Sequence, residues 1–192
     1  RSDVTKPAPT VTQNTWEFLR DAMITPTGFR EYDARWKYPD DINLPGITAL
    51  GLGLVTQMQR RGIEPVIAVG NDYRDYSLSI KNALMLGLMQ AGIHVKDIGP
   101  ALSPMAYFSQ FHLGTPAVAM VTASHNPNGW TGVKMGFEKP LTHGPDEMGE
   151  LKEIVLEGKG EPREGGSYEF VEGVWDAYMD DLVGDFHMTR KL

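Results

Sequence analysis

At 192 residues, with 41% hydrophobic and 22% charged residues, the chain has the composition of a globular domain long enough to bury roughly 70% of its unfolded surface. Its net charge of −7 argues against a general nucleic-acid binder, which needs a basic face, and no apolar run approaches the roughly 20 residues that cross a bilayer. The absence of cysteine rules out disulfides, thiolate metal sites and a cysteine nucleophile, and makes the cytoplasm the expected compartment.

Residues 1–24 read as an N-terminal lead. Arg1 to Thr12 is polar and proline-containing with no apolar signal core, and a first residue other than Met fits a trimmed chain. Trp16, Phe18, Leu19, Met23 and Ile24 form an apolar cluster of one or two helical turns, broken by Thr25-Pro26-Thr27-Gly28. The aromatics Phe29, Tyr32, Trp36 and Tyr38 then suit an extended segment. Ile47, Leu50, Leu54 and Met58 recur at helical spacing and predict a helix over 44–61, ended by Gly62. A strand from Pro65 to Gly70, a helix from Tyr76 to Gln90 and a strand from Ile93 to Gly99 form a βαβ unit, with parallel strands and a right-handed crossover. A helix from Ser103 or Pro104 to Leu113 and a strand from Ala117 to Thr122 continue the alternation of an α/β fold.

Beyond it, Val133, Met135 and Phe137 alternate with Lys134, Gly136 and Glu138, a strand with one buried face from which Lys134 points away. Asp146 to Leu156 reads as a surface helix, and the Gly-rich, charged stretch 158–167 as a linker. Phe170, Val174, Tyr178, Leu182 and Phe186 step by four, a helix whose apolar stripe is expected to find its partner beyond Leu192.

Chemistry concentrates where the apolar run Val118-Ala119-Met120-Val121 enters Thr122-Ala123-Ser124-His125-Asn126-Pro127. A strand apolar on both faces belongs in the middle of a sheet, and the loop at its carboxyl end is where open α/β folds place ligands. As a residue type, a loop serine is most often a turn residue with local hydrogen bonds. No Gly-x-Ser-x-Gly elbow surrounds Ser124, and adjacency to His125 makes no hydrolase dyad, so acyl transfer has little support. A small hydroxyl in a Gly- and Asn-containing loop, with His125, Lys134 and Arg30 available, better suits phosphoryl transfer, where charge stabilisation matters most. Asp72 and Arg74 follow a strand, so they belong at the same sheet edge and read as a pair that shapes the loop. On residue type alone, Arg30 is equally a surface arginine. Gly51-Leu52-Gly53 lies inside a helical pattern and lacks a third glycine, so it is no nucleotide fingerprint, and His94, His112, His143 and His187 lack metal-ligand spacing.

Thr122-Ala123-Ser124-His125-Asn126-Pro127, with Gly132-Val133-Lys134 downstream, resembles the phosphoserine signature of the α-D-phosphohexomutases, the phosphomannomutase/phosphoglucomutase family. Phe29-Arg30-Glu31-Tyr32-Asp33-Ala34-Arg35 is similar to the family's Phe-Arg-x-Tyr-Asp-Ile-Arg-Gly, and Val69-Gly70-Asn71-Asp72-Tyr73-Arg74 to its Val-Gly-x-Asp-x-Arg. Trp36, Asn71 and Thr131 depart from the family pattern, at positions that bear on loop geometry and phosphate contacts. The resemblance implies a three-layer α/β/α domain with a mixed, mainly parallel sheet over 25–157, then the linker 158–167 and a truncated second domain opening over 168–192.

For function, the resemblance implies reversible movement of phosphate between C1 and C6 of a hexose phosphate such as mannose or glucose phosphate. Ser124 would carry the phosphoryl group through a bisphosphate intermediate, with a hexose 1,6-bisphosphate as activator. Arg30, His125 and Lys134 would assist as cationic and proton-transfer residues, and Asn126, Tyr32, Asp72 and Arg74 would support the phosphate loop. Mg²⁺ would bind the phosphate on Ser124 and an Asp-Gly-Asp-Gly-Asp motif that this sequence lacks. The chain is therefore expected to be a fragment, with little or no turnover alone, whose partners are the hexose phosphate and the remaining domains of its own polypeptide. The alternatives are phosphoglucosamine mutase and a non-catalytic sugar-phosphate-binding or scaffold domain of the same fold.

Overall fold

Ala117–Val121 is buried at every position, so this strand, β4, has neighbours on both edges and layers on both faces. Its position in the sheet follows in a computed structural model describing residues 5–185. Six strands run in the order β1-β5-β4-β2-β3-β6. They are β1 (Ala34–Lys37), β2 (Val66–Asn71), β3 (His94–Pro100), β4, β5 (Trp130–Gly136) and β6 (Ser167–Phe170). β4, β2, β3 and β6 are mutually parallel, whereas on the other side β5 runs antiparallel to β4 and β1 antiparallel to β5. The helices are α1 (Trp16–Arg20), α2 (Leu44–Arg60), α3 (Ser77–Gln90), α4 (Ser103–His112), α5 (Pro145–Leu156) and α6 (Val174–Gly184). The fold is thus the expected three-layer α/β/α arrangement with a mixed, mainly parallel sheet.

The alternation of side chains along the strands makes two cores. Ile67, Val69, Ala119, Val121, Val133 and Met135 pack against α2, α3 and α5, while Ala68, Val118 and Met120 pack against α4 and α6. α2 and α3 cross closely: Thr48 Oγ1 donates to the Ala83 carbonyl at 3.0 Å, and Gly51 and Gly87 face backbone carbonyls of the opposite helix where no Cβ would fit. Gly51 and Gly53 are packing glycines, since Gly53 lies against Val155 of α5.

At the amino end, the lead is not a loose tail from Ala8 onward: the Ala8 N–H donates to the Ala22 carbonyl at 2.8 Å and the Ile24 N–H to the Ala8 carbonyl at 2.9 Å. Met23 and Ile24 enter the core, but Trp16 and Leu19 stay 68% and 69% exposed, because a five-residue helix lying on the surface cannot bury both. Asn43, the N-cap of α2, holds this segment. Its Oδ1 accepts from the N–H groups of Gly46 (2.8 Å) and Met23 (2.9 Å), and its Nδ2 donates to the carbonyls of Phe18 (2.7 Å) and Asp21 (2.8 Å). Asn43→Ala removes a cap and strands buried backbone groups, and is expected to cost about 2–4 kcal/mol. Urea unfolding measures this, and a loss below about 1 kcal/mol would contradict the assigned network.

The stretch 158–167 does not behave as a linker. The Glu161 N–H donates to Thr56 Oγ1 (2.8 Å) and the Arg163 N–H to the Gln90 carbonyl (2.9 Å), after which β6 adds to the edge of β3 in register from His94–Ser167 to Asp97–Phe170. Phe170 ends this strand instead of opening a helix, and Val174 and Tyr178 of α6 pack on α4, with Tyr178 against Phe108 at a ring separation of 5.4 Å. The residues expected to open a second domain therefore complete the sheet and outer layer of the first. Leu182 remains exposed, and Phe186 lies outside the described residues.

Candidate functional site

β4 delivers Ser124 to the carboxyl edge of the sheet. Beyond the strand, the Ser124 N–H donates to Thr122 Oγ1 at 2.9 Å and the Asn126 N–H to the Ala123 carbonyl at 3.1 Å, so the chain turns at once. Ser124 has φ +56°, a left-handed conformation that costs a non-glycine residue about 1–2 kcal/mol. The surroundings hold it there. Arg74 of the β2–α3 loop donates to the carbonyls of Ser124 (3.3 Å) and Asn126 (2.8 Å), while its guanidinium pairs with the Asp72 carboxylate. Asp72 also accepts from Ser77 Oγ at 2.5 Å, which fixes it to the first turn of α3. The expected Asp72–Arg74 pair is present, and it grips the serine loop as well as shaping its own.

A cleft of about 590 Å³ brings together Ser124, His125, Lys134, Asp72 and Arg74. Lys134 stands opposite Met120 in the sheet register, on the α4 side, as the alternation along β5 requires. Among the described residues Lys134 makes no ion pair, so its charge is available to a ligand. The first turn of α4 lines the same cleft through Leu102, Ser103 and Pro104, and no side chain caps it. Uncapped N–H groups and the positive end of the helix dipole favour an anion there.

A family model described as "Phosphoglucomutase/phosphomannomutase, alpha/beta/alpha domain I" matches residues 26–161. The chain belongs to this family. Phosphomannomutase from Salmonella typhimurium is 31% identical over 163 residues, covering 82% of this chain and 34% of that relative. A probable phosphoglucosamine mutase from Pyrococcus horikoshii is 36% identical over 109 residues, covering 57% and 23%. The crystal structure of a phosphoglucomutase/phosphomannomutase family protein from Burkholderia thailandensis superposes with a TM-score of 0.79 at 27% identity, covering 88% of this chain and 38% of that one. The chain spans about a third of the length of the phosphomannomutases it matches.

Within this phosphoglucomutase/phosphomannomutase domain, the remaining candidates do not all reach the cleft. Asn126 sits in the serine loop itself. Arg30 is exposed and lies over the Trp130 ring at 5.7 Å, beside the exit of the loop. Tyr32 was expected to support the loop and does not: the chain reverses at Arg30–Asp33, and Tyr32 lines a separate hollow of about 370 Å³ with Phe137 and His143. The supporting residue from this segment is Arg35. Its Nη1 donates to Asn126 Oδ1 (3.1 Å), its Nε to Asp33 Oδ2 (2.8 Å), and its side chain passes over Gly132. Arg35 alternates with the buried Ala34 and Trp36 of β1, and the pairing of Arg35 with Gly132 sets it on the sheet face of Lys134.

The departures from the family pattern lie buried beneath the loop, with Asn71 Oδ1 and Thr131 Oγ1 unpaired among the described residues. Trp36 is fully buried, donates through Nε1 to the Thr25 carbonyl (2.8 Å), meets Phe29 edge-on and fills the space above Gly28. Thr131 is buried opposite Trp36, and Asn71 is buried with its Nδ2 donating to the Asp72 carbonyl at 2.8 Å.

None of the other described histidines lines the cleft. His94 meets Ser167 and Glu169, His112 stacks on Phe108, and His187 lies outside the described residues. His143 is buried beside Gln57, whose Oε1 lies 3.0 Å from His143 Nε2, and burial pushes its pKa down to about 4, with Glu147, Arg61 and Glu150 as the charges around it. The folded protein then keeps the imidazole neutral well below the pH at which the unfolded chain takes up a proton. This contribution to stability is complete above about pH 6.5 and is lost as pH falls toward 4, a change of about 3 kcal/mol. Urea unfolding across that window should fall more steeply for the wild type than for His143→Gln, and equal slopes would refute the assignment.

Proposed function

We propose that this chain is the nucleophile-carrying domain of a cytoplasmic mutase that interconverts hexose 1-phosphate and hexose 6-phosphate. The observation that carries the reading is Ser124 itself, held in a left-handed turn at the carboxyl edge of the sheet, in one cleft with Lys134 and the uncapped first turn of α4. In the transfer step the Ser124 Oγ–P bond breaks while a sugar hydroxyl oxygen bonds to phosphorus, giving free Ser124 and a hexose bisphosphate. The hydroxyl proton leaves the sugar, and Ser124 Oγ gains one. Lys134 balances phosphate charge and is placed to exchange that proton, with the exposed His125 beside it. Arg74 is already neutralised by Asp72 and acts on the loop backbone. Return of the phosphate to Ser124 from the other carbon of the sugar completes the exchange.

Magnesium, implied by the family, does not fit the residues of this chain alone. Among the described residues no group of three His, Asp or Glu side chains is placed to share a metal, and Asp72, the carboxylate in the cleft, is engaged by Arg74 and Ser77. The metal ligands and the groups that select the sugar then belong to the remainder of the polypeptide, as its partners in turnover. Phosphoglucosamine mutase is the second reading, favoured by the Pyrococcus horikoshii relative.

The test is to incubate the full-length protein with a hexose 1,6-bisphosphate and map phosphate by peptide mass spectrometry. Phosphate on Ser124 is expected. An unlabelled Ser124 would reject the reading and favour a binding or scaffold domain without chemistry.

A further inference from the structure

Tyr76, the residue before α3, takes no part in the cleft, yet its hydroxyl is inserted into the serine loop. It donates to the Trp130 carbonyl at 2.8 Å and accepts from the Gly129 N–H at 2.8 Å. Its ring lies against that of Tyr38 with centroids 5.6 Å apart, and the Tyr38 N–H donates to the Gly129 carbonyl at 2.8 Å. Gly129 has φ +91°, so the chain reverses under these contacts. The loop therefore hangs from two points on the β2–α3 segment: Arg74 holds its entry at Ser124 and Asn126, and Tyr76 holds its exit at Gly129 and Trp130. A non-glycine residue persists in a left-handed conformation only where the surroundings over-determine it; without the Tyr76 hydroxyl the exit keeps only the Tyr38 N–H contact to Gly129 and the pairing of Trp130 with Lys37.

We infer that Tyr76 is a positioning residue for phosphoryl transfer, its hydroxyl locking the exit of the serine loop so that Ser124 Oγ is held in line with the phosphorus it attacks. The inference rests on the reading of Ser124 as phosphate carrier. Tyr76→Phe tests it, because the ring and its packing on Tyr38 remain while both hydroxyl contacts go. Two measurements on the full-length protein are needed. The first is hydrogen exchange at the Gly129 amide, which should be at least about 10-fold faster in Tyr76→Phe, since its acceptor is lost. The second is the single-turnover rate of phosphate transfer from glucose 1,6-bisphosphate to Ser124, expected to fall about 10- to 100-fold per folded molecule, the penalty of slight misplacement of a reacting atom. Affinity for the bisphosphate should change by less than about 3-fold, because a positioning defect appears in the rate and not in binding. Tyr38→Phe, which leaves the backbone contact to Gly129 in place, should retain the wild-type rate.

A Tyr76→Phe protein that labels Ser124 at the full rate would overturn the inference, even with faster exchange at Gly129, since Tyr76 would then be an anchor without effect on transfer. An unlabelled wild type would instead bring down the carrier reading, and the Tyr76 inference with it. The two failures are thus distinguished by whether the wild type is labelled.

Discussion

Replacing Ser124 with Ala in the full-length protein is expected to abolish phosphate incorporation at that position and to lower mutase activity at least about a thousand-fold, because the variant lacks the hydroxyl that carries the phosphoryl group. His125 and Lys134 line the same cleft, where this reading gives them proton transfer and charge balance and leaves covalent chemistry to Ser124. The companion variant Ser124→Gly separates chemistry from stability. At φ +56° glycine carries no penalty for the left-handed conformation, so this variant should be as stable as the wild type, or more stable by up to about 1 kcal/mol, and equally inactive. A residue that weakens the fold where it stands and whose removal ends the reaction is there for the reaction. Unfolding curves and a coupled assay of hexose phosphate interconversion check both halves. Retention of full rate by either variant would remove Ser124 from the mechanism.

The parts of this architecture that were legible share one property: a periodic pattern of burial long enough to read. α2 shows its apolar face at Ile47, Leu50, Leu54 and Met58, and β4 is apolar throughout, so both were recognisable from one sequence. The address of Ser124 followed from β4, since a buried central strand must end at a sheet edge. β6 was not legible because its four residues, Ser167 to Phe170, are all exposed and follow a Gly-rich stretch; main-chain pairing to β3 makes the strand, and pairing leaves no mark on an edge strand's composition. The lead was only partly legible: its apolar cluster divides, with Met23 and Ile24 in the core and Trp16 and Leu19 left in solvent by a short surface helix.

Within the site, the residues bearing chemistry were readable and those holding them were only partly so. Ser124, Lys134, Asp72 and Arg74 lie on or beside strand ends, where order along the chain predicts proximity. Tyr32 and Arg35 lie three residues apart across a reversal, and only the pairing of Ala34 with Val133 decides that Arg35 faces the loop and Tyr32 the far side. Tyr76 sits at a helix start, where a tyrosine is unremarkable until its hydroxyl is seen between two backbone groups of another loop.

Charge burial away from the site sets the largest stability effect. Lys81 of α3 and Asp97 of β3 form an ion pair with Nζ and Oδ1 2.7 Å apart and side chains only 3% and 6% exposed. Asp97 Oδ1 also accepts from the Gly99 N–H at 2.8 Å, and Oδ2 from the Tyr168 hydroxyl of β6 at 3.2 Å, so one carboxylate ties a helix, the end of its own strand and the edge strand together. Removing either partner leaves an almost wholly buried charge without its counter-charge. Asp97→Ala is therefore expected to cost about 3–5 kcal/mol, a large fraction of the 5–15 kcal/mol that holds a typical domain together. Lys81→Met should cost somewhat less, because Asp97 keeps the Gly99 and Tyr168 donors. The double variant Lys81→Met/Asp97→Leu should recover most of the loss, since a buried pair replaced by apolar side chains of similar size no longer carries its desolvation penalty. Urea unfolding of the wild type, Lys81→Met, Asp97→Leu and the double variant forms a closed cycle whose coupling term reads the pair directly. Additive losses in the double variant, or a cost below about 1 kcal/mol for Asp97→Ala, would show that the two charges are solvated and that β6 is not held through Asp97.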